Sequence, residues 1–422
     1  MTEILQNHPA DIYAISGYMV QYTELSFWRV TMKITVVRAK VYEWKGEVEP
    51  PRAHFSGSAM DILPLKKESM ASFRFHGWLV VEVETDEGIV GLGNCALAPR
   101  VAKVIIDTYL APMLIGEDPY DNEYLWQKMY RSTIAWGRKG IAMAAISALD
   151  IAIWDIKGKK EHKPVFKLLG GRTKEKMWCY ASKLYANDDL DKFLEEAKGY
   201  LDQGFTAMKL RIGYGPKDGP AGVRKNIEQI KALRELVGPD IDIMVECYMG
   251  WTLEYAKRIL PKIAKYDLRW VEEPVIPDDI DGYAELKAMN ICPIAGGEHE
   301  YTLFGFKDLL TRKAIDVIQY DTNRVGGITI AQKINHLAEA FQVPVIPHSG
   351  MMHNYHVCMA TTASPISEFF PVFNVEVGNE LFYYIFKGDP IPENGYIQLD
   401  DNKEGLGLEL RTDYLDSFNI IE

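Results

Sequence analysis

After Gly170-Gly171 the chain alternates short apolar runs with longer segments of helical period. The apolar runs fall near residues 176–181, 206–211, 241–246, 268–273, 293–298, 316–320, 343–347 and 367–371. Amphipathic stretches such as 222–237 and 326–341 lie between them, at the spacing that buries one helix face. Strand–helix alternation predicts parallel pairing, and eight strands with seven or so helices is a barrel count. The pattern before this point is different. Lys33-Ile-Thr-Val-Val-Arg-Ala-Lys-Val-Tyr reads as a strand, and Trp78 to Gly93 reads as two strands around a Thr-Asp-Glu-Gly turn. A polar stretch of about 46–75 separates them, long enough to be functional or disordered. Residues 101–158 turn helical, and Ile141 to Asp155 is apolar nearly all round, which predicts a buried helix. The tail from about 385 carries Pro-Ile-Pro-Glu-Asn-Gly turn chemistry and short strands that return to the first domain.

The expected organisation is an N-terminal extension at 1–31, an α+β capping domain at 32–165, a barrel at 166–384, and a C-terminal segment at 385–422 that returns to the cap. The fold class is α/β, a modified (β/α)7β barrel with its α+β capping domain. The length of 422 residues suits one barrel with a second domain. A net charge of −12 without a basic block argues against nucleic acid as a partner. No run of 18 apolar residues and no signal peptide is seen, so no membrane association is expected. Five scattered cysteines without a Cys-x-x-Cys pair read as reduced core residues of a cytoplasmic protein. No phosphate-cradling or dinucleotide glycine fingerprint occurs.

The candidate chemistry sits at strand ends. Glu246, Glu272 and Glu298 each close an apolar run and are spaced by 26 residues twice over. One barrel unit takes about that length, since eight fill roughly 250 residues. Equal spacing therefore predicts three carboxylates at one height on the catalytic face. They would repel without a cation between them, and all-oxygen ligation favours Mg²⁺ over zinc. Period two puts Lys209 and Arg211 on one face of the second strand, pointing into the mouth. Asp321 and His348 end the sixth and seventh strands as a carboxylate–imidazole dyad. Glu368 ends the eighth. Gly326-Gly327 are turn glycines that could open a helix N-terminus toward an anion.

Read together, these features resemble the enolase superfamily, mandelate racemase subgroup, over nearly all of residues 33–422. The marks are Ala148-Leu-Asp150-Ile-Ala-Ile-Trp154-Asp155-Ile-Lys-Gly158, Lys209-Leu-Arg211, the Glu246/Glu272/Glu298 triad, Asp321 with Gly326-Gly327, and Pro-His348. Within the subgroup the chain is similar to acid-sugar dehydratases. That similarity rests on Met129-Tyr-Arg-Ser-Thr-Ile-Ala-Trp-Gly-Arg-Lys-Gly140, Gly222-Val-Arg-Lys-Asn, Gly297-Glu-His-Glu300, Tyr355-His356 and Pro392-Glu-Asn-Gly395. The resemblance implies Mg²⁺-assisted loss of water from an aldonate through an enediolate, giving a 2-keto-3-deoxy acid. His348, oriented by Asp321, would take the C2 proton and return it to the leaving hydroxyl. Lys209 and Arg211 would supply positive charge near the substrate carboxylate, and Glu368 would bond a substrate oxygen. His54, Arg74 and His76 on the polar stretch, with His299 beside a metal ligand, are the candidates for substrate contact. A homo-oligomer follows from the resemblance.

Two departures bear on the reaction. Racemases of the subgroup carry Lys-x-Lys on the second strand, where Arg211 stands here. Arginine keeps its proton and is a poor base, so one-base elimination is favoured over racemisation. Dehydratases of the similar branch carry Pro at that place and Asp at position 246, which leaves the sugar open. The alternatives are an epimerase or cycloisomerase on the same scaffold, or an idle relative that binds metal and sugar acid without turnover.

Overall fold

Three antiparallel strands open the structure, a computed structural model that describes residues 31–47, 59, 76–372, 375 and 378–422. They are β1 (Ile34–Trp44), β2 (Gly77–Thr85) and β3 (Val90–Cys95). β2 and β3 form the expected hairpin, closed by Gly88 at φ 77°, whose N–H donates to the Thr85 carbonyl at 3.0 Å. The last strand of the chain, Phe418–Ile421, adds to the free edge of β1, with Tyr42 opposite Ile420. Most of the polar stretch 46–75 lies outside the described residues.

The helix Ile141–Lys160 lies against this sheet. It approaches so closely that a Cβ on Gly91 would meet the Ala152 carbonyl oxygen at 2.1 Å, and one on Gly93 the Ala148 oxygen at 1.8 Å. Its other side meets the helix Gly327–Phe341, which is why nearly all of it is apolar and buried. Two acids on the helix act as staples. Asp150 accepts from Thr329 N at 2.9 Å and Thr329 Oγ1 at 2.6 Å, and Ser147 Oγ accepts from Gly326 N at 2.8 Å. The helix N-terminus after Gly326-Gly327 is therefore taken by the protein's own side chains, which corrects the idea of an anion site there. Asp155 accepts from Leu92 N at 2.8 Å and Leu406 N at 2.7 Å, and so ties β3 to the C-terminal segment.

The barrel strands are β4 (Met177–Tyr185), β5 (Ala207–Arg211), β6 (Asp242–Glu246), β7 (Leu268–Glu272), β8 (Ile294–Gly296), β9 (Val317–Ile318) and β10 (Ser367–Phe369). They pair in parallel and in sequence from β4 to β9, and β10 returns to pair with β4. The stretch expected as a strand at 343–347 joins β9 by one bridge, Ile318 to Val345. Ile346 N donates to the Ile318 carbonyl at 2.8 Å and His348 N to the Tyr320 carbonyl at 2.9 Å. The intervening helices are amphipathic. Leu253–Ile263, capped by Thr252, buries Tyr255, Ala256, Ile259, Leu260 and Ile263 on one face. Each of the buried isoleucine and leucine side chains contributes about 1.5–3 kcal/mol.

One layer inside the barrel decides where the site stands. Tyr180, Ala207, Met244, Trp270, Ala295, Val317, Ile346 and Ile366 pack together, one from each of the eight strand positions. Side chains alternate along a strand, so the next inward position is two residues on. Those positions are Ser182, Lys209, Glu246, Glu272, Gly297, Gln319, His348 and Glu368. The polar residues of the chain's chemistry are thus the layer above an apolar plug.

Candidate active site

Glu246 and Glu272 close β6 and β7 and face each other in register. Glu298 does not stand at their height by register, since Ala295 is the residue opposite Glu272. The equal-spacing argument fails for the third carboxylate by a local turn. Gly297 takes φ 125°, and a Cβ there would meet Phe306 at 2.8 Å. The chain bends over the mouth at this glycine, and Glu298 fills the place that position 297 would hold. Ligand oxygens of the three glutamates all lie within 4.8 Å of one another, and all three side chains are buried.

Lys209, fully buried, stands among them. Its Nζ is 2.5 Å from Glu272, 3.0 Å from Glu368 and 3.3 Å from Glu246. Its three partners are all carboxylates of the protein. Burial opposes its charge, but Glu272 and Glu368 outweigh that and hold its proton. Glu272 is fixed further by Trp270 Nε1 at 2.9 Å and Gln319 Nε2 at 2.7 Å. Burial opposes its ionisation as well, and Lys209 reverses the balance. Glu246 goes the other way, pushed up by burial and by the neighbouring Glu272. Among the buried polar atoms without a hydrogen bond are Glu246 Oε2 and Glu298 Oε2, both within this cluster. A hard, all-oxygen donor set with two unsatisfied oxygens fits Mg²⁺.

Asp321 and His348 meet as expected, with His348 Nδ1 at 2.8 Å from Asp321 Oδ2. His348 Nε2 faces Glu298 Oε2 at 3.2 Å, so the free ring nitrogen points at the carboxylate cluster. Burial works against the Asp321 charge, yet the hydrogen bond from His348, the nearby His353 ring and the Arg324 guanidinium hold its carboxyl well below the usual range. Glu368 is the middle residue of β10 and not a strand end. It accepts from Ser182 Oγ, and from Ser349 N at 2.5 Å. Arg211 stands one layer higher, its Cζ 5.3 Å from the Tyr185 ring and 5.7 Å from the Phe370 ring, and its Nε has no hydrogen-bond partner among the described residues. Burial opposes its charge, but Tyr185, Glu246 and Glu368 keep it a cation. His299 bonds Glu273 through Nδ1 at 2.8 Å and approaches Glu298 through Nε2 at 3.6 Å. Glu273, Glu298 and His299 could also hold an ion, sharing Glu298 with the triad. His76 is exposed at the start of β2, and its carbonyl accepts from Trp44 N at 2.9 Å. His54 and Arg74 lie outside the described residues.

Sequence reasoning missed Gln319 and Arg324. Arg324 is buried, 3.1 Å from Glu298 Oε1 and 3.4 Å from Asp321 Oδ2, and so spans the triad and the dyad. Gln319 was readable from the alternation Val-Ile-Gln-Tyr-Asp321, two residues before the acid.

A family model described as enolase C-terminal domain-like matches residues 192–414, and one for the N-terminal domain of mandelate racemase / muconate lactonizing enzyme matches 59–170. The chain belongs to the mandelate racemase / muconate lactonizing enzyme family. Among relatives in this family, the L-rhamnonate dehydratase of Saccharopolyspora erythraea is 37% identical over 338 residues, 79% of this chain and 83% of the relative. The crystal structure of L-rhamnonate dehydratase from Gibberella zeae superposes with a TM-score of 0.83 at 31% identity, covering 93% of this chain and 97% of that one. The structure of rhamnonate dehydratase from the same organism complexed with Mg gives 0.80 at 30% identity, covering 92% and 97%. Among the described residues, no helix is long and apolar enough to cross a membrane.

Proposed function

We propose that this chain is a Mg²⁺-dependent dehydratase of an acid sugar, an aldonate such as L-rhamnonate. The observation that carries the reading is the pairing of a buried three-carboxylate cluster with a buried Asp–His dyad whose free nitrogen faces it. The relatives named for the same activity support it over most of the chain.

Glu246, Glu272 and Glu298 would hold the metal. When bound, Mg²⁺ supplies the positive charge that makes a proton beside a carboxylate acidic enough to remove. The rest falls to the chain's own groups. Asp321 keeps the His348 proton on Nδ1, so Nε2 carries the lone pair that takes the C2 proton. The protonated His348 then gives that proton to the departing 3-hydroxyl, and the enol product tautomerises to a 2-keto-3-deoxy acid. Lys209 keeps Glu272 ionised, holds Glu272 and Glu368 in place and adds positive charge near the substrate carboxylate. Arg211, a permanent cation above them, attracts the substrate anion. It also leaves the opposite face without a base, which disfavours the epimerase reading. Glu368 accepts from a substrate hydroxyl. A homo-oligomer and a cytoplasmic location complete the reading. Trp136 and Phe304, exposed at 51% and 60%, support assembly, and five free, buried cysteines support a reducing compartment.

The test offers Mg²⁺-loaded protein a panel of aldonic, 6-deoxyaldonic and aldaric acids and reads 2-keto acid formation with a carbonyl reagent. Turnover of L-rhamnonate or a close epimer is expected. Turnover of a diacid alone would keep the mechanism and reject the aldonate. No turnover with metal bound would reject dehydration.

A further inference from the structure

A buried line of polar groups runs from the capping sheet to the dyad. Trp78 on β2 donates from Nε1 to Asn94 Oδ1 on β3 at 3.2 Å. Asn94 Nδ2 faces His353 Nδ1 at 3.4 Å, and His353 Nε2 faces Asp321 Oδ1 at 3.8 Å. Trp78, Asn94, His353 and Asp321 are each 0–1% exposed. His353 lies in the helix Met351–Met359, five residues past His348, with its ring edge-on to Phe382 at 5.7 Å.

The line has a direction set by chemistry. An indole N–H can only donate, so it must meet the oxygen of the Asn94 amide. That turns the amide NH₂ toward His353 Nδ1, which must then accept. A neutral imidazole carries one proton. His353 therefore carries it on Nε2, the nitrogen aimed at Asp321. Asp321 Oδ1 receives Asn323 N at 3.0 Å from its own loop, and His353 Nε2 stands on its far side at 3.8 Å. Oδ2 takes His348 Nδ1 at 2.8 Å, with Ser349 Oγ and Arg324 Nε each farther off at 3.4 Å. We infer that Trp78, Asn94 and His353 form a positioning relay that fixes the Asp321 carboxylate and, through it, the tautomer of His348. The relay makes the cap part of the catalytic apparatus, since two of its members belong to the capping sheet.

The last gap, at 3.8 Å, is longer than a hydrogen bond, and His353 Nε2 has no other partner among the described residues. An unsatisfied buried donor is costly, and bonds of this kind in ligand-free sites tighten when the complex forms. The effect on turnover rests on His348 being the base. The tautomer of His353 does not.

The experiment therefore reads both. Protein labelled with ¹⁵N-histidine and loaded with Mg²⁺ reports which ring nitrogen of His353 is protonated. In the parent chain the proton is expected on Nε2. Asn94→Asp sets an acceptor against Nδ1 and is expected to bring a proton there. The same variant, and His353→Phe, are expected to lower kcat by about 10–100-fold with KM and Mg²⁺ affinity unchanged, as for other groups that orient a catalytic side chain. His353→Gln restores a donor and is expected to recover part of the loss. If Asn94→Asp does not fold, Trp78→Phe removes only the first donor and is expected to give a mixture of His353 tautomers. A proton on Nδ1 in the parent, a tautomer that neither variant changes, or a kcat within about twofold of the parent in His353→Phe would each overturn the relay. If the parent turns over no acid sugar, the tautomer readings still decide it.

Discussion

Replacing Lys209 by methionine keeps most of the side chain's bulk and removes only its charge. In the parent, one ammonium at 2.5–3.3 Å serves Glu246, Glu272 and Glu368 in a fully buried layer. Removing one member of a buried ionic cluster leaves its partners desolvated and unpaired, at a cost of about 3–5 kcal/mol. Metal-free Lys209→Met is therefore expected to lose about that much stability, read as urea unfolding followed by tryptophan fluorescence. A bound divalent cation restores positive charge to the same carboxylates, so the deficit should shrink markedly in saturating Mg²⁺. The variant should gain more from the metal than the parent does. A metal-free variant as stable as the parent, or an equal deficit with and without Mg²⁺, would refute the electrostatic account of this layer.

Other expectations test the site and its frame. His348→Asn should abolish exchange of the substrate C2 proton in D₂O, a loss of at least about 10²-fold, while calorimetry finds Mg²⁺ binding intact; near-normal turnover would reject the base assignment. Glu272→Gln should weaken Mg²⁺ binding in the same calorimetric assay, and unchanged affinity would remove Glu272 from the metal site. Asp155→Ala strands the buried N–H groups of Leu92 and Leu406 and should destabilise the metal-loaded protein by about 2–4 kcal/mol, measured by urea unfolding. His356 is pushed down to about 4 by burial, with Nδ1 accepting from Phe166 N at 3.1 Å and Nε2 facing the Leu406 carbonyl at 3.2 Å. The unfolded chain then binds its proton more readily than the folded one. Stability from this residue is full above pH 6.5 and is lost as pH falls to about 4, by roughly 3 kcal/mol. His356→Gln, which can make both bonds, should flatten that part of the stability–pH curve.

Much of the site was legible because it obeys a short period. Lys209, Glu246, Glu272, His348 and Glu368 stand two residues beyond the plug residues of their strands, so alternation alone puts them on one face. Glu298 shows where the rule stops. It reaches the cluster through a glycine turn off the end of β8, and the equal spacing that drew attention to it was not the reason it arrives. The same alternation held Gln319, which was passed over because an amide does not advertise chemistry as a carboxylate does. Arg324, Asn94 and His353 were beyond reach for another reason. Asn94 and His353 are 259 residues apart, and no local pattern says which cap residue will touch which barrel helix. The buried helix Ile141–Lys160 was foreseen from its apolar character, yet the glycines that let β3 approach it only acquire meaning once the packing is seen.

The apolar layer of Tyr180, Trp270 and their six companions has a consequence for traffic. It closes the barrel like the floor of a well, so ions, substrate and product share one opening at the top. Traffic through a single shaft has an order: whatever sits deepest must enter first and leave last. The carboxylate cluster is directly on that floor, beneath the level of Arg211. The metal should therefore load before the acid sugar and stay shut in until the keto acid has gone, which makes exchange of the ion slowest while the enzyme is at work.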